Sequence, residues 1–200
     1  MDYFLRKLSE QKEREGRVQH FFDTEINPAL DLNNTMTFDL EIGCGHGHWL
    51  NHYSNLSSAS ISVGIDLISK RIRKANTKKD KQNNRNLFFL KSEASEFLQS
   101  KPVHLKISNI FIFFPDPWPK NKHHKRRLIQ DSFLNLLHIN THEHSKIFFR
   151  TDHLEYFDWV RLKIKENAYW KLSDAVFPFS HDSYFQQLLP NFSSIVAAKA

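Results

Sequence analysis

Chemistry and partner stand side by side in residues 111–127, Phe-Ile-Phe-Phe-Pro-Asp-Pro-Trp-Pro-Lys-Asn-Lys-His-His-Lys-Arg-Arg. An apolar run ends on a carboxylate, Asp116, with a proline on either side and Trp118 behind it. The ring of Pro117 restricts the backbone of Asp116, and Pro115 fixes the approach to it. Lys120, Lys122, Lys125, Arg126 and Arg127 follow at once. A rigidly placed acid beside a run of cations suits a site that handles a nitrogenous base on a phosphate backbone. A charge run by itself equally describes a solvated start of a basic helix, and the prolines and the tryptophan are what favour a site.

A second group of residues has the spacing of a nucleotide pocket. Glu41-Ile42-Gly43-Cys44-Gly45-His46-Gly47 directly follows an apolar run and precedes a helix-compatible stretch. Alternate glycines let the backbone turn sharply and approach a ligand. The third glycine comes two residues after the second, so the dinucleotide pattern G-x-G-x-x-G is not met and NAD is disfavoured. Asp66 ends the next apolar run about twenty residues on, where a carboxylate accepts from both ribose hydroxyls of an adenosine. Glu93, followed by Ala94, comes after the third run; it suits an adenine amine, or alone a carboxylate at a helix start. Glu41, Asp66, Glu93 and Asp116 thus place one acid at or just after each of four successive runs, the edge where open α/β sheets bind ligands.

The elements that must carry these acids alternate. Short apolar runs at 38–42, 62–65, 87–90, 107–114, 146–150 and 193–198 read as strands; helices follow the glycines, start at Ser69, and span 127–138 and 154–167. Residues 76–86 read as a polar loop, and 1–35 as a helical arm and connector leading into one domain at 36–200. The rhythm predicts a single-domain α/β fold with a mostly parallel sheet and an antiparallel C-terminal strand. A chain of 200 residues with eighteen phenylalanines has enough apolar surface for one core, and its formal charge of +6 favours a polyanionic partner. Its apolar runs are too short to span a bilayer, the N-terminus lacks a secretory apolar region, and the single cysteine excludes an internal disulfide. A cytoplasmic protein is expected. His123, His124, His138, His142 and His144 match no zinc spacing, so no metal is expected.

From about residue 38 to the C-terminus the chain resembles the bacterial tRNA (guanine-N7-)-methyltransferases. The resemblance rests on Phe-Phe-Pro-Asp-Pro-Trp-Pro-Lys at 113–120 with Lys125-Arg126-Arg127 after it, on the Glu-Ile-Gly-Cys-Gly-His-Gly turn, and on Thr151-Asp152. It implies a Rossmann-like class I methyltransferase fold, S-adenosylmethionine as cofactor, and methylation of a guanosine in the tRNA variable loop. It places Glu41, Gly43, Gly45, Gly47, Asp66, Glu93, Ala94 and Asp116 at the cofactor, with Asp116 also catalytic. Lys120, Asp152 and the segment Ser183-Tyr184-Phe185-Gln186 fall to the substrate; Lys122, His123, His124, Lys125, Arg126 and Arg127 fall to the RNA. Two features depart from the family. Where it usually has Thr-x-x-Glu, this chain keeps the hydroxyl at Ser183 but has Gln186, which hydrogen-bonds without offsetting positive charge. The N-terminal arm is short and carries no motif that can be placed.

Guanine N7 has a lone pair and no proton, so the implied transfer needs acceptors that orient the base and offset its developing charge, rather than a general base. Asp116 and Asp152 suit that role, although Asp152 also reads as a helix N-cap. Lys120 suits a phosphate or a guanine acceptor. Trp118 and Phe114 suit stacking on the base, or burial in the core. Two other readings stay open: a class I methyltransferase acting on another RNA base or on protein, and a non-catalytic RNA-binding subunit of the same fold. The basic tail behind Asp116 speaks against the first, the intact acid series against the second. Monomer and homodimer are both open.

Overall fold

The computed structural model describes residues 3–57, 60–178 and 191–200, with side chains described from Arg6 onward. Strands β1 (Thr37–Ile42), β2 (Ile61–Asp66), β3 (Leu87–Lys91), β4 (Lys106–Phe113), β5 (Thr141–Thr151), β6 (Trp170–Ser173) and β7 (Ser193–Lys199) form one sheet in the order β3-β2-β1-β4-β5-β7-β6. The pairings β1–β2, β1–β4, β2–β3 and β4–β5 are parallel; β5–β7 and β6–β7 are antiparallel. The expected α/β class and antiparallel C-terminal strand are therefore present. Strand order reverses between β1 and β4, so the C-terminal ends of the parallel strands open a crevice there.

Period-two alternation sorts the side chains onto the two faces. Phe38, Leu40, Ile112, Ile147 and Phe149 face one core, which also takes Trp170. Phe111, Phe113 and Phe148 face a second core with Trp49 and Tyr53 of α3 (His48–Leu56), where Trp49 and Tyr53 stack at 5.0 Å and Phe111 and Phe148 at 5.2 Å. Each such ring contributes about 1.5–3 kcal/mol by burial, so the sheet edge is held by stiff aromatic packing beneath it. The helices that complete the layers are α4 (Ser69–Lys81), α5 (Ala94–Ser100), α6 (Asp131–Asn140) and α7 (Leu154–Glu166).

The N-terminal segment is helical: α1 (Tyr3–Phe21), a π-helical turn (Phe22–Ile26) and α2 (Asn27–Leu32). Residues 6–14 are exposed, but Val18, Phe22, Ile26 and Leu30 enter the first core, where Phe22 meets Phe38 and Phe97 at 5.8 and 5.5 Å. Three local expectations change. The 76–86 loop is helical as far as Lys81, because Ile72 and Ala75 bury one face and lysines tolerate the other. The helix expected from Arg127 starts at Asp131, preceded by a short 3₁₀ segment, Asn121–Arg126, since Arg127 turns inward in extended backbone. Strand β6 was not expected; its pairing with β7 and the burial of Trp170, whose indole donates to the Leu134 carbonyl at 3.0 Å, create it from a weak local pattern. Among the described residues no helix is long and apolar enough to cross a membrane.

Candidate active site

The first half of the site is built by β1, β2 and the turn between β1 and α3. Gly43 and Gly45 adopt φ of +79° and +56°, and a Cβ on either would meet nothing within 4 Å, so their bare backbone borders open space. Gly47 serves packing instead: a Cβ there would come within 2.5 Å of the Phe89 ring. Asp66 is buried at the end of β2 and ties the turn down, accepting from Gly45 N at 3.0 Å and Ile68 N at 2.8 Å, with the Arg71 guanidinium at 3.5 Å. Each oxygen keeps further acceptor capacity. Glu41 lies one strand over, buried, with Oε2 lacking any hydrogen-bond partner; burial first, and then Asp66, pushes its carboxyl up to about 8. Leu67, directly after Asp66, is 64 % exposed at this rim. Sequence reading passed over it because an apolar residue beside a strand end carries no distinctive pattern.

Glu93 caps α5, its Oε2 accepting from Glu96 N at 3.0 Å, so the helix-start reading of this acid describes its present contacts; Ala94 follows it, buried. Cys44 is buried, and burial pushes its thiol well above the ordinary range, in keeping with fit rather than nucleophilic chemistry.

The second half of the site is the turn after β4. Phe114 and Trp118 both have left-handed backbone, φ +50° and +44°, a conformation that bulky residues hold only when their surroundings impose it. Between them the side chain of Asp116 stands exposed at the tip. Several contacts impose the shape. Phe114 N–H donates to the Arg150 carbonyl at 2.8 Å, Arg126 lies 5.1 Å from the Trp118 ring, and Arg127 Nε donates to the Pro117 carbonyl at 2.8 Å.

Arg127 corrects the assignment of the whole basic run to RNA. It is 2 % exposed, its two terminal nitrogens bind the Glu155 carboxylate at 3.1 and 2.8 Å, and its guanidinium lies 5.0 and 5.1 Å from the rings of Tyr156 and Trp159. The same bonding to Arg127 holds the Glu155 carboxyl below its usual range. A guanidinium so committed clamps the Asp116 turn to α7 and has no face left for a phosphate. Sequence reading missed the clamp because Arg127 is one cation in a row and Glu155 one acid in a first helical turn. His124 is likewise turned inward, 5.6 Å from the Trp159 ring, and His123 packs against Trp118 at 5.8 Å. Lys120, Lys122, Lys125 and Arg126 are exposed.

Asp152 follows β5 on the same edge. The cap of α7 falls to His153, whose Nδ1 accepts from Tyr156 N at 3.2 Å, so Asp152 is not the N-cap and its side chain is exposed. Glu41 and Asp66 therefore lie at the ends of β1 and β2 and Asp152 directly after β5, while Asp116 and Lys120 lie three and seven residues beyond Phe113, the last residue of β4. Ser183, Tyr184, Phe185 and Gln186 lie outside the described residues. Among the described residues no cluster of three or more His, Cys, Asp or Glu could hold a metal ion.

A seven-stranded sheet of this order with an acid-lined glycine turn at its switch point is the fold of the Rossmann-like, S-adenosylmethionine-dependent methyltransferases. A SAM-dependent methyltransferase from Aquifex aeolicus superposes with a TM-score of 0.57 over 82 % of each chain at 16 % identity. TrmN from Thermus thermophilus does so with 0.58 over 87 % of this chain and 48 % of that one at 14 % identity. At these identities the likeness is one of fold. The family model described as "Putative methyltransferase" matches residues 36–176. A tRNA (guanine-N(7)-)-methyltransferase of Prochlorococcus marinus subsp. pastoris is 32 % identical over 179 residues, 86 % of this chain and 84 % of that protein. One from Wolbachia pipientis wMel is 33 % identical over 135 residues, 68 % of this chain and 61 % of that protein. The chain belongs to the family of the tRNA (guanine-N7)-methyltransferases.

The residues present fit S-adenosylmethionine. The unpartnered Glu41 oxygen offers a buried acceptor to a cationic amino group, Asp66 has acceptor capacity for a ribose, Leu67 offers an apolar face, and the space above Gly43 and Gly45 is open.

Proposed function

We propose that this chain transfers a methyl group from S-adenosylmethionine to N7 of a guanosine in the variable loop of tRNA. The observation that carries this reading is Asp116, an exposed carboxylate fixed between two left-handed residues in the turn after β4, with exposed cations directly behind it. The names of the relatives agree with it.

When bound, S-adenosylmethionine supplies an electrophilic methyl group on a positively charged sulfur. Glu41, Asp66 and Leu67 would hold it, Glu93 and Ala94 would meet the adenine, and the glycine turn would leave it room. Transfer to the guanine N7 lone pair would leave the S–C bonding electrons on sulfur and pass the positive charge to the base. No proton moves, so the chain has to orient rather than deprotonate. Asp116 and Asp152 accept from the base edge and offset its charge; Lys120, Lys122, Lys125 and Arg126 neutralise phosphates. In this reading 36–200 is the methyltransferase domain, 1–35 is a helical arm whose exposed charged turns extend towards RNA, and the setting is the cytoplasm.

Incubation of the protein with unmodified tRNA and methyl-labelled S-adenosylmethionine, followed by nucleoside mapping, tests the reading. Label in 7-methylguanosine at a variable-loop position is expected; label in any other nucleoside, or none, overturns it.

A further inference from the structure

Among the described residues, helix α4 differs from the other long helices in its charge. Seven of its thirteen residues are Lys or Arg and one, Asp80, is acidic, an excess of six that equals the formal net charge of the entire chain. By contrast α1 sets glutamates among its cations and pairs Arg6 with Glu10 at 3.0 Å, and α7 mixes both signs. On α4 the exposed cations Lys70, Arg73, Lys74 and Lys81 fall on one side of the helix at spacings of three, four and seven, and among the described residues none has an acidic partner; only Arg71 does, through Asp66. Like charges at these spacings repel and cost the helix a few tenths of a kcal/mol per pair, a cost that a merely solvated face avoids by mixing signs. The field reaches the pocket. After burial, Lys74, Lys78 and Arg71 depress the His46 imidazole in the glycine turn, and burial with Lys74 depresses Lys78.

The place of α4 matters as much as its charge. It follows β2, whereas the 120–126 segment follows β4, and β1 lies between those strands. Two cationic surfaces thus flank the cofactor turn from opposite sides, and a polyanion presenting one base to Asp116 has to pass both. We infer that the exposed face of α4 is a second tRNA-backbone contact, which binds phosphodiesters from the side of the pocket opposite the Asp116 turn. The inference rests on the tRNA reading above. Contacts of this kind position the substrate without reading sequence, so they act on affinity and its salt dependence, not on the chemical step.

The test is a salt titration of unmodified tRNA binding by the full chain, with methylation of the same tRNA measured in parallel. Replacing Lys70, Arg73 and Lys74 together by glutamine should lower the slope of log affinity against log salt by about two units and weaken binding roughly tenfold near 0.1 M salt. S-adenosylmethionine affinity and turnover at saturating tRNA should hold. Asp80→Lys should act in the opposite sense, tightening binding and steepening the slope, which no loss of folding can imitate. If both variants keep the parent slope while the parent makes 7-methylguanosine, α4 is a solvated face and the inference fails alone. If the parent binds tRNA without methylating N7, the functional reading fails while the slopes still decide α4; if the parent does not bind tRNA, both fail.

Discussion

Two turns at one sheet edge hold left-handed backbone in opposite ways. The turn after β1 assigns φ of +79°, +56° and +67° to Gly43, Gly45 and Gly47, for which the conformation is nearly free. The turn after β4 assigns +50° and +44° to Phe114 and Trp118, where it costs about 1–2 kcal/mol each. The difference follows from what each turn presents. In the proposed reading the first turn receives the cofactor and has to be bare, so Gly43 and Gly45 supply the shape locally and Asp66 fastens it. In the same reading the second turn presents Asp116 to the substrate at a fixed angle, and its shape is imposed from outside by Arg127, Glu155, Trp159 and the Arg150 carbonyl.

The largest effect should come from the group the second turn exists to aim. Asp116→Asn keeps the size of the side chain but removes its charge, so single-turnover methylation at saturating cofactor and tRNA should fall by about a hundredfold or more, with tRNA binding retained. A variant that methylates at the parent rate would make Asp116 a turn residue and erase the contrast. Next comes the clamp. Arg127→Ala should cost the fold on the order of 2–3 kcal/mol, mainly through the unsatisfied Pro117 carbonyl and lost stacking, because Glu155 is half exposed and its ion pair is screened. Arg127→Lys keeps the charge and loses the fork. Its turnover should drop several-fold, while Arg127→Ala, which loses the charge, should keep the parent salt slope of tRNA binding. A flattened slope with normal turnover would return Arg127 to the RNA surface.

The two turns were also unequally legible in the sequence. Glycines at 43 and 45 announce the left-handed turn after β1, and the alternation of apolar runs gave the sheet, because both signals are short-range; the packing role of Gly47 against Phe89 was not visible. The clamp was not legible: Arg127 and Glu155 lie 28 residues apart, and only the packing of α7 against the β4 turn makes one cation of a basic run a buried strut. Similarly, Asp152 suits an N-cap by type and His153 does not, and only the chain conformation gives the cap to His153. Strand β6 escaped for the same reason, its four residues being strand only against β7.

The glycine turn can be probed on the same scale. Gly45→Ala places a Cβ in open space, so its penalty is conformational, about 1–2 kcal/mol in denaturant titrations, with weakened S-adenosylmethionine binding where that space is needed. Trp118→Gly should do the reverse: removal of strain keeps stability within about 1 kcal/mol of the parent, while a loosened Asp116 lowers turnover. Equal behaviour of the two variants would mean that both turns are held locally.

The smallest signal, at most one proton, tests whether the cofactor side is as passive as its glycines suggest. Burial raises the Glu41 carboxyl from 4.5 to about 8, so between those values the native state holds a proton that the unfolded chain has lost. Its contribution to stability is therefore fully present below about pH 4.5 and is lost as pH rises through about 8, and the parent should lose stability with rising pH relative to Glu41→Gln. A cationic amino group brought to the unpartnered Oε2 favours the ionised form, so binding lowers that pKa and expels the proton. Calorimetry of S-adenosylmethionine binding near pH 7, in buffers of different ionisation heat, should then report release approaching one proton for the parent and none for Glu41→Gln. Identical heats in both buffers for the parent would mean that Glu41 stays protonated beside the ligand; the cofactor turn would then owe its fit to shape alone.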